Sequence, residues 1–254
     1  MLSPAFADAA GTFLNSRHLM KIKDIVNRGL VTLTNCDQEP IHIPGNIQPH
    51  GFLIGLTNDW IIDYCTENIS SFLNLSHTQV LGNKFEAVFG SRAQDLVLNY
   101  TNSETVQDVF PLEIELLERK FQIAIHKSGD IYVLEAEPEF DKQILADVYK
   151  QTIQFVTQMN STKSLKDLCA LVAEGTREIT GYDRVMIYRF DEQYNGEVYA
   201  ESCRKDLEPF LGLHYPHTDI PVQARELYIR NQLRLIADIN YQPVLIFTVD
   251  DKED

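Results

Sequence analysis

Gly51-Phe52-Leu53-Ile54-Gly55-Leu56-Thr57-Asn58-Asp59-Trp60-Ile61-Ile62-Asp63-Tyr64 is the stretch that decides the fold. An apolar run of strand length meets an Asn-Asp turn signal, and a second apolar arm follows, so the segment reads as a hairpin. Working outward, short helical patterns come next, around residues 68–75, 85–89 and 91–100. Residues 120–126 and 131–136 then flank Lys127-Ser128-Gly129-Asp130, a second hairpin with glycine in its turn. Strand pair, short helices, strand pair describes an antiparallel sheet with flanking helices, an α+β domain.

Upstream, Pro40 and Pro44 lie too close together for a regular helix, so residues 36–45 are expected to be extended or looped. Residues 19–26 carry an amphipathic pattern and are expected to form a short helix. Downstream, residues 144–159 form a strong amphipathic helix pattern with apolar Ile144, Val148, Ile153, Phe155, Val156 and Met159. Asn160-Ser161-Thr162 breaks it. A second helix covers 165–179, with Gly181 as its stop signal. Residues 184–190 and 197–203 flank a third hairpin turn, and Pro221 opens a helix over about 222–231. A second α+β domain therefore begins near residue 146. Residues 244–249 read as an apolar strand. Two strands before the helix make a small sheet for such a domain, which is expected to be incomplete within this chain.

Composition narrows the function classes. The chain has 254 residues, 44% hydrophobic and 23% charged, which is ordinary for a globular protein. Thirty-seven acidic against 22 basic residues leave a net charge of -15, which disfavours nucleic acid and anionic lipid as partners. No apolar run is long enough to span a bilayer, and the first residues do not form a secretory signal, so a cytoplasmic location is expected. Cys36, Cys65, Cys169 and Cys203 are widely separated, without a CxxC pair, so a zinc site or a redox centre is not expected. Enzyme motifs are absent: no GxSxG, HExxH, Walker A or GxGxxG. His214 and His217 form an HxxH on a loop, without further ligands at metal-binding spacing.

The densest cluster is Phe210-Leu211-Gly212-Leu213-His214-Tyr215-Pro216-His217-Thr218-Asp219-Ile220-Pro221. It joins a strand to a helix, a common place for ligand sites. Asp219 either caps the following helix or points its carboxylate into a pocket. In residues 184–190, Met186, Tyr188 and Phe190 share one face and Val185 and Ile187 the other. With both faces apolar, this strand is expected to be buried, as plain core or as the wall of a cofactor site.

These residues carry a resemblance. Cys36-Asp37-Gln38-Glu39-Pro40-Ile41-His42-Ile43-Pro44-Gly45-Asn46-Ile47-Gln48-Pro49-His50-Gly51 resembles the opening of the N-terminal PAS domain of phytochromes. Tyr182-Asp183-Arg184-Val185-Met186-Ile187-Tyr188-Arg189-Phe190 resembles the first strand of their GAF domain, and residues 210–228 resemble their chromophore-pocket segment, including its Asp-Ile-Pro. The three motifs occur in order, and the likeness spans about residues 33–243.

The resemblance, closest to bacterial phytochromes, implies an N-terminal extension over 1–34, a PAS domain over 35–145 and a GAF domain over 146–254 whose C-terminal part is missing. It implies a photoreceptor and not an enzyme. The cofactor would be biliverdin, a linear tetrapyrrole, attached as a thioether through Cys36. Asp219 would accept hydrogen bonds from the pyrrole N–H groups through its carbonyl and meet the D ring with its carboxylate. Ile220 and Pro221 would pack on the ring faces, and Met186, Tyr188, Phe210 and Tyr215 would surround the D ring. Tyr228 would line the pocket helix, and Arg234 would contact a propionate. Red light would drive Z/E isomerisation before the D ring. The family's PHY domain and output histidine kinase are not in this sequence, so the chain resembles an N-terminal fragment of a phytochrome, which either a piece of a longer sensor or a truncated paralogue would give. The helices over 144–159 and 165–179 are candidates for pairing with a second copy, or for core packing. A chromophore-free PAS–GAF interaction module and an unrelated enzyme built on the HxxH are the competing readings.

Overall fold

Strands β3 (Phe52–Leu56) and β4 (Ile62–Thr66) pair antiparallel, with Ile54 opposite Cys65 and Gly55 opposite Tyr64. The Thr57 carbonyl accepts from the Trp60 N–H at 2.9 Å and closes the turn. In the computed structural model, residues 18–22, 41, 45–102, 111–139, 142–231 and 233–250 are described. They divide into two units: Met1–Glu139 together with Asn231–Asp254, and Phe140–Arg230.

In the first unit, four short helices follow the hairpin: α1 (Ile69–Leu73), α2 (His77–Val80), α3 (Phe85–Phe89) and α4 (Ser91–Thr101). Three strands complete the central sheet: β5 (Leu112–Leu116), β6 (Arg119–Ser128) and β7 (Ile131–Pro138). The sheet runs in the order β4-β3-β7-β6-β5. Strict alternation places Phe121, Ile123 and Ile125 of β6 inside, with charged neighbours outside. Phe52 packs edge-on against Phe121 at 5.2 Å and tilted against Phe72 at 5.4 Å. Burying a side chain of this size contributes about 1.5–3 kcal/mol, and the core of this unit is continuous from Phe52 to Val249. Strand β5, Leu-Glu-Ile-Glu-Leu, alternates strictly, which sends Ile114 and Leu116 into the core and the two glutamates outward.

Two expectations change here. Part of the expected helix over 19–26 is instead strand β1 (His18–Lys21), and residues 23–26 lie outside the described residues. The strand expected over 244–249 forms as β11 (Val244–Asp250), but in the sheet of the first unit. It pairs with β1, with β4, and with the short β2 (Asn46–Ile47). The physical reason is the edge of β4: Ile246, Phe247 and Thr248 pair with Thr66, Cys65 and Tyr64 and satisfy backbone groups that would otherwise be open. Val249 and Thr248 are buried as a result. A pairing of such long sequence separation leaves no local signature.

The second unit begins with α5 (Lys142–Met159) and α6 (Leu165–Thr180). Ser164 caps α6 by accepting from the Asp167 N–H at 3.1 Å, and Gly181 ends it in the left-handed region at φ +73°. Gly175, inside α6, sits against the Phe155 ring of α5; a Cβ there would stand 2.4 Å from that ring. The helices thus cross closely at a position where only glycine leaves room. Strands β8 (Arg184–Phe190), β9 (Gly196–Cys203) and β10 (His214–Tyr215) form a sheet in the order β10-β9-β8. A 3-10 turn (His217–Asp219) leads to α7 (Val222–Arg230).

Strand β8 is not buried as its composition suggested. Met186 is 41% and Phe190 38% exposed. Among the described residues β8 is an edge strand.

Candidate functional site

The β8–β9 register positions the site. Tyr188 pairs with Val198, while Ile187 pairs with Ala200, so Tyr199 is the extra residue of a β-bulge in β9. Without the bulge, Gly196 and Glu201 would fall on opposite faces of the sheet. With it, Gly196, Val198 and Glu201 share the face of Met186, Tyr188 and Phe190. The Tyr188 ring lies directly over Gly196, whose hypothetical Cβ would stand 1.9 Å from the ring's Cζ and Oη. Phe190 meets Tyr188 edge-on at 5.2 Å, and Tyr215 of β10 lies 6.2 Å away. The result is an aromatic face on one side of a small sheet.

The loop after β9 crosses this face and is held by one carboxylate. Glu201 accepts from the backbone N–H groups of Phe210 at 2.7 Å and Leu211 at 2.8 Å, and from Arg184 Nη1 at 2.6 Å. Its side chain is only 3% exposed. Arg184 also donates to the Glu208 carbonyl at 2.6 Å and stacks its guanidinium on the Phe210 ring at 3.7 Å.

The segment toward α7 is fixed from the other side. The Asp191 carboxylate accepts from the N–H groups of Gln193 and Asn195 and from the Asn195 side-chain amide. These bonds, the Asn195 amide first, hold the Asp191 carboxyl below the usual carboxylate range. The other end of the Asn195 amide accepts from the His217 N–H at 3.2 Å. Arg225 of α7 donates to the carbonyls of His217 and Ile220 and lies over the Tyr194 ring at 4.6 Å. The 3-10 turn carrying Asp219 is therefore clasped between the β8–β9 turn and α7.

Asp219 is exposed and belongs to its own 3-10 turn; Pro221 is the residue that flanks α7. Its carboxylate is felt at Tyr188, whose hydroxyl is pushed above the ordinary tyrosine value first by desolvation, then by the charges of Asp219 and Tyr215. A raised value keeps Tyr188 a neutral O–H donor beside a negative charge. A half-open aromatic face with one carboxylate suits a flat, conjugated, cationic group.

The structure gathers most of the residues singled out from the sequence in the second unit. Met186 and Tyr188 lie on β8, Phe210 on the Glu201-held loop, and Tyr215 on β10. Asp219, Ile220 and Pro221 follow, and Tyr228 stands half-exposed on α7. Arg234 lies in Asn231–Asp254 and belongs to the first unit. Cys36 lies outside the described residues. Glu201, Arg184, Arg225 and Asn195 escaped the sequence reading. No local signal marked Glu201, because simple alternation along β9 places it in phase with Glu197, and only the bulge moves it to the other face. His214 and His217 are both exposed, and among the described residues no three His, Cys, Asp or Glu side chains are grouped as a metal site. No described helix is long and apolar enough to cross a membrane.

A family model described as a PAS fold matches residues 36–139. Cyanobacterial phytochrome B of Nostoc is 37% identical over 238 residues, which cover 91% of this chain and 32% of that protein. A bacteriophytochrome of Pseudomonas aeruginosa is 38% identical over 226 residues, covering 85% of this chain and 30% of its own length. The chain thus spans about a third of the length of these curated relatives. Among solved structures, the wild-type chromophore-binding domain of Stigmatella aurantiaca phytochrome P1 superposes with a TM-score of 0.77 at 33% identity, covering 87% of this chain and 75% of that one. A variant of a chromophore-binding domain from the same organism's bacteriophytochrome gives 0.75 at 35% identity, with coverage of 84% and 72%.

Proposed function

Since the chain belongs to the phytochrome family, we propose that it is a light-sensing portion of a phytochrome that binds biliverdin covalently through Cys36. In this reading residues 35–145 are the PAS domain and the GAF domain starts at 146. The observation that carries the reading is the aromatic face of Met186, Tyr188, Phe190 and Tyr215 with the Asp219 charge beside Tyr188.

When bound, a bilin supplies red-light absorption and Z/E isomerisation of the double bond before its D ring. The protein's residues do the rest. Cys36 would hold the bilin by a thioether to its A-ring vinyl group, an addition that needs no oxidant. The Asp219 carbonyl would accept from the pyrrole N–H groups, and its carboxylate would favour a positively charged ring system. Tyr188, neutral and held in place over Gly196, donates its O–H. Ile220 and Pro221 would pack against the ring plane, Phe210 and Tyr215 would border it, and Tyr228 would flank it. Arg234 would pair with a propionate, a role that rests on the resemblance alone. Output would pass through pairing of α5 and α6 with a second copy and, where a PHY domain and a histidine kinase follow this sequence, through those domains.

Exposed apolar residues on α5, Tyr149, Ile153 and Val156, favour a second reading, a chromophore-free interaction module. One experiment separates them. Purified chain is mixed with biliverdin, denatured, and its band examined for zinc-enhanced fluorescence beside Cys36→Ser. A fluorescent band lost in the variant supports attachment at Cys36. A dark wild-type band refutes it and leaves the interaction module.

A further inference from the structure

We propose that Glu201 is a positioning residue: it anchors the loop over 210–215 so that Tyr215 is held beside Tyr188 and Asp219. Four features of the structure converge on this carboxylate. Its side chain is buried to 3% exposure, although it belongs to a sheet of only three strands. It accepts three charge-assisted or backbone hydrogen bonds within 2.6–2.8 Å, two of them from consecutive loop N–H groups. Its partner Arg184 is itself locked to the same loop, through the Glu208 carbonyl and the Phe210 ring. The bulge at Tyr199 turns Glu201 onto the face of Tyr188 and Gly196.

Stability of the sheet alone does not call for this arrangement. A buried ion pair is a weak way to gain stability, because desolvation offsets most of the attraction. It is a strong way to choose one loop geometry, because Phe210 N–H, Leu211 N–H and Arg184 all need the same two oxygens. Leu213 N–H follows by bonding the Phe210 carbonyl at 2.9 Å, and the Val198 N–H bonds the Leu213 carbonyl at 3.0 Å. The anchor at Phe210 thereby sets where β10, and Tyr215 with it, meets Gly196 of β9.

The spectral part of this inference rests on the bilin-binding reading; the structural part does not. The test uses Glu201→Ala, which removes the acceptor of both loop amides, and Arg184→Gln beside it. In the apoprotein, hydrogen exchange at the Phe210 and Leu211 amides is expected to rise at least tenfold in Glu201→Ala, with the paired β8 amides changing less than twofold. Unchanged exchange at Phe210 and Leu211 overturns the proposal. Uniform acceleration across β8 and β9 also overturns it, since Glu201 would then support the sheet and not the loop. In the biliverdin-loaded chain, both variants are expected to keep the fluorescent adduct band while their red absorption band shifts and photoconversion yield falls at least twofold. Wild-type spectra in both variants refute the positioning role toward the pigment. A wild-type chain that takes up no pigment refutes the bilin reading, and amide exchange still decides the role of Glu201.

Discussion

Replacing Gly196 with alanine tests the architecture of the site most directly. The added Cβ would stand 1.9 Å from Cζ and Oη of Tyr188, far inside van der Waals contact. The ring is rigid, so it must swing off the sheet. Doing so breaks its edge contact with Phe190 and its tilted contact with Tyr215. Two aromatic pairs at about 0.5–1.5 kcal/mol each give a loss of about 1–3 kcal/mol. Against this, alanine in place of glycine restricts the unfolded chain and recovers about 0.4–1 kcal/mol. The expected net destabilisation is about 1–2 kcal/mol. In a Tyr188→Ala background the clash is gone, and the same change should stabilise by a few tenths to about 1 kcal/mol. The cycle therefore predicts a coupling of about 1.5–3 kcal/mol between two residues that are not opposite one another in the register. Urea unfolding followed by far-UV circular dichroism measures it. Trp60, the chain's one tryptophan, lies in the first unit, so its fluorescence follows that unit separately. Equal effects of Gly196→Ala in both backgrounds would refute the stacked geometry, as would a neutral effect in the wild type.

Two further predictions concern the first unit. Burial pushes the Cys65 thiol up to about 12, so at pH 8 it should resist maleimide in the folded chain and react only on unfolding; labelling as fast as at half-buried Cys169 and Cys203 would contradict this. His77 stacks on Phe247 at 4.4 Å, and burial lowers its pKa below 6.5, with Glu67 opposing. The unfolded state then binds the proton more tightly, so this contribution is present above about pH 6.5 and is lost as pH falls through the lower folded value. Urea midpoints read by Trp60 fluorescence from pH 7.5 to 5.5 should fall less steeply in His77→Phe; identical slopes would show that His77 is not the titrating group.

Much of this protein was legible in local sequence. The Asn58-Asp59 turn, the Gly129 turn, the helix ended by Gly181 and the helix opened by Pro221 all depend on neighbours within a few residues. Backbone sterics and side-chain periodicity act at that range, so the α+β class follows from the order of amino acids, whereas the candidate residues from Met186 to Tyr228 were marked only by the resemblance of their motifs to those of phytochromes. The clustering of Tyr188, Tyr215 and Asp219 was foreshadowed by their motifs, although not by periodicity.

Other features depended on which distant segments meet. Strand β11 reads as an apolar run anywhere, and only the open edge of β4 assigned it to the first sheet. Residues 18–21 became strand because β11 offered them a partner. Strand β8 looked like core, but its position at a sheet edge left Met186 and Phe190 half-exposed. Glu201 looked like a surface acid on a strand. A single extra residue in β9 turned it toward the site, and Arg184 and two loop amides made its burial tolerable. Alternation along a strand is a local property, whereas the face a residue occupies follows from register. Register is set by pairing across the sheet, and that is why the anchor of the loop emerged only in three dimensions.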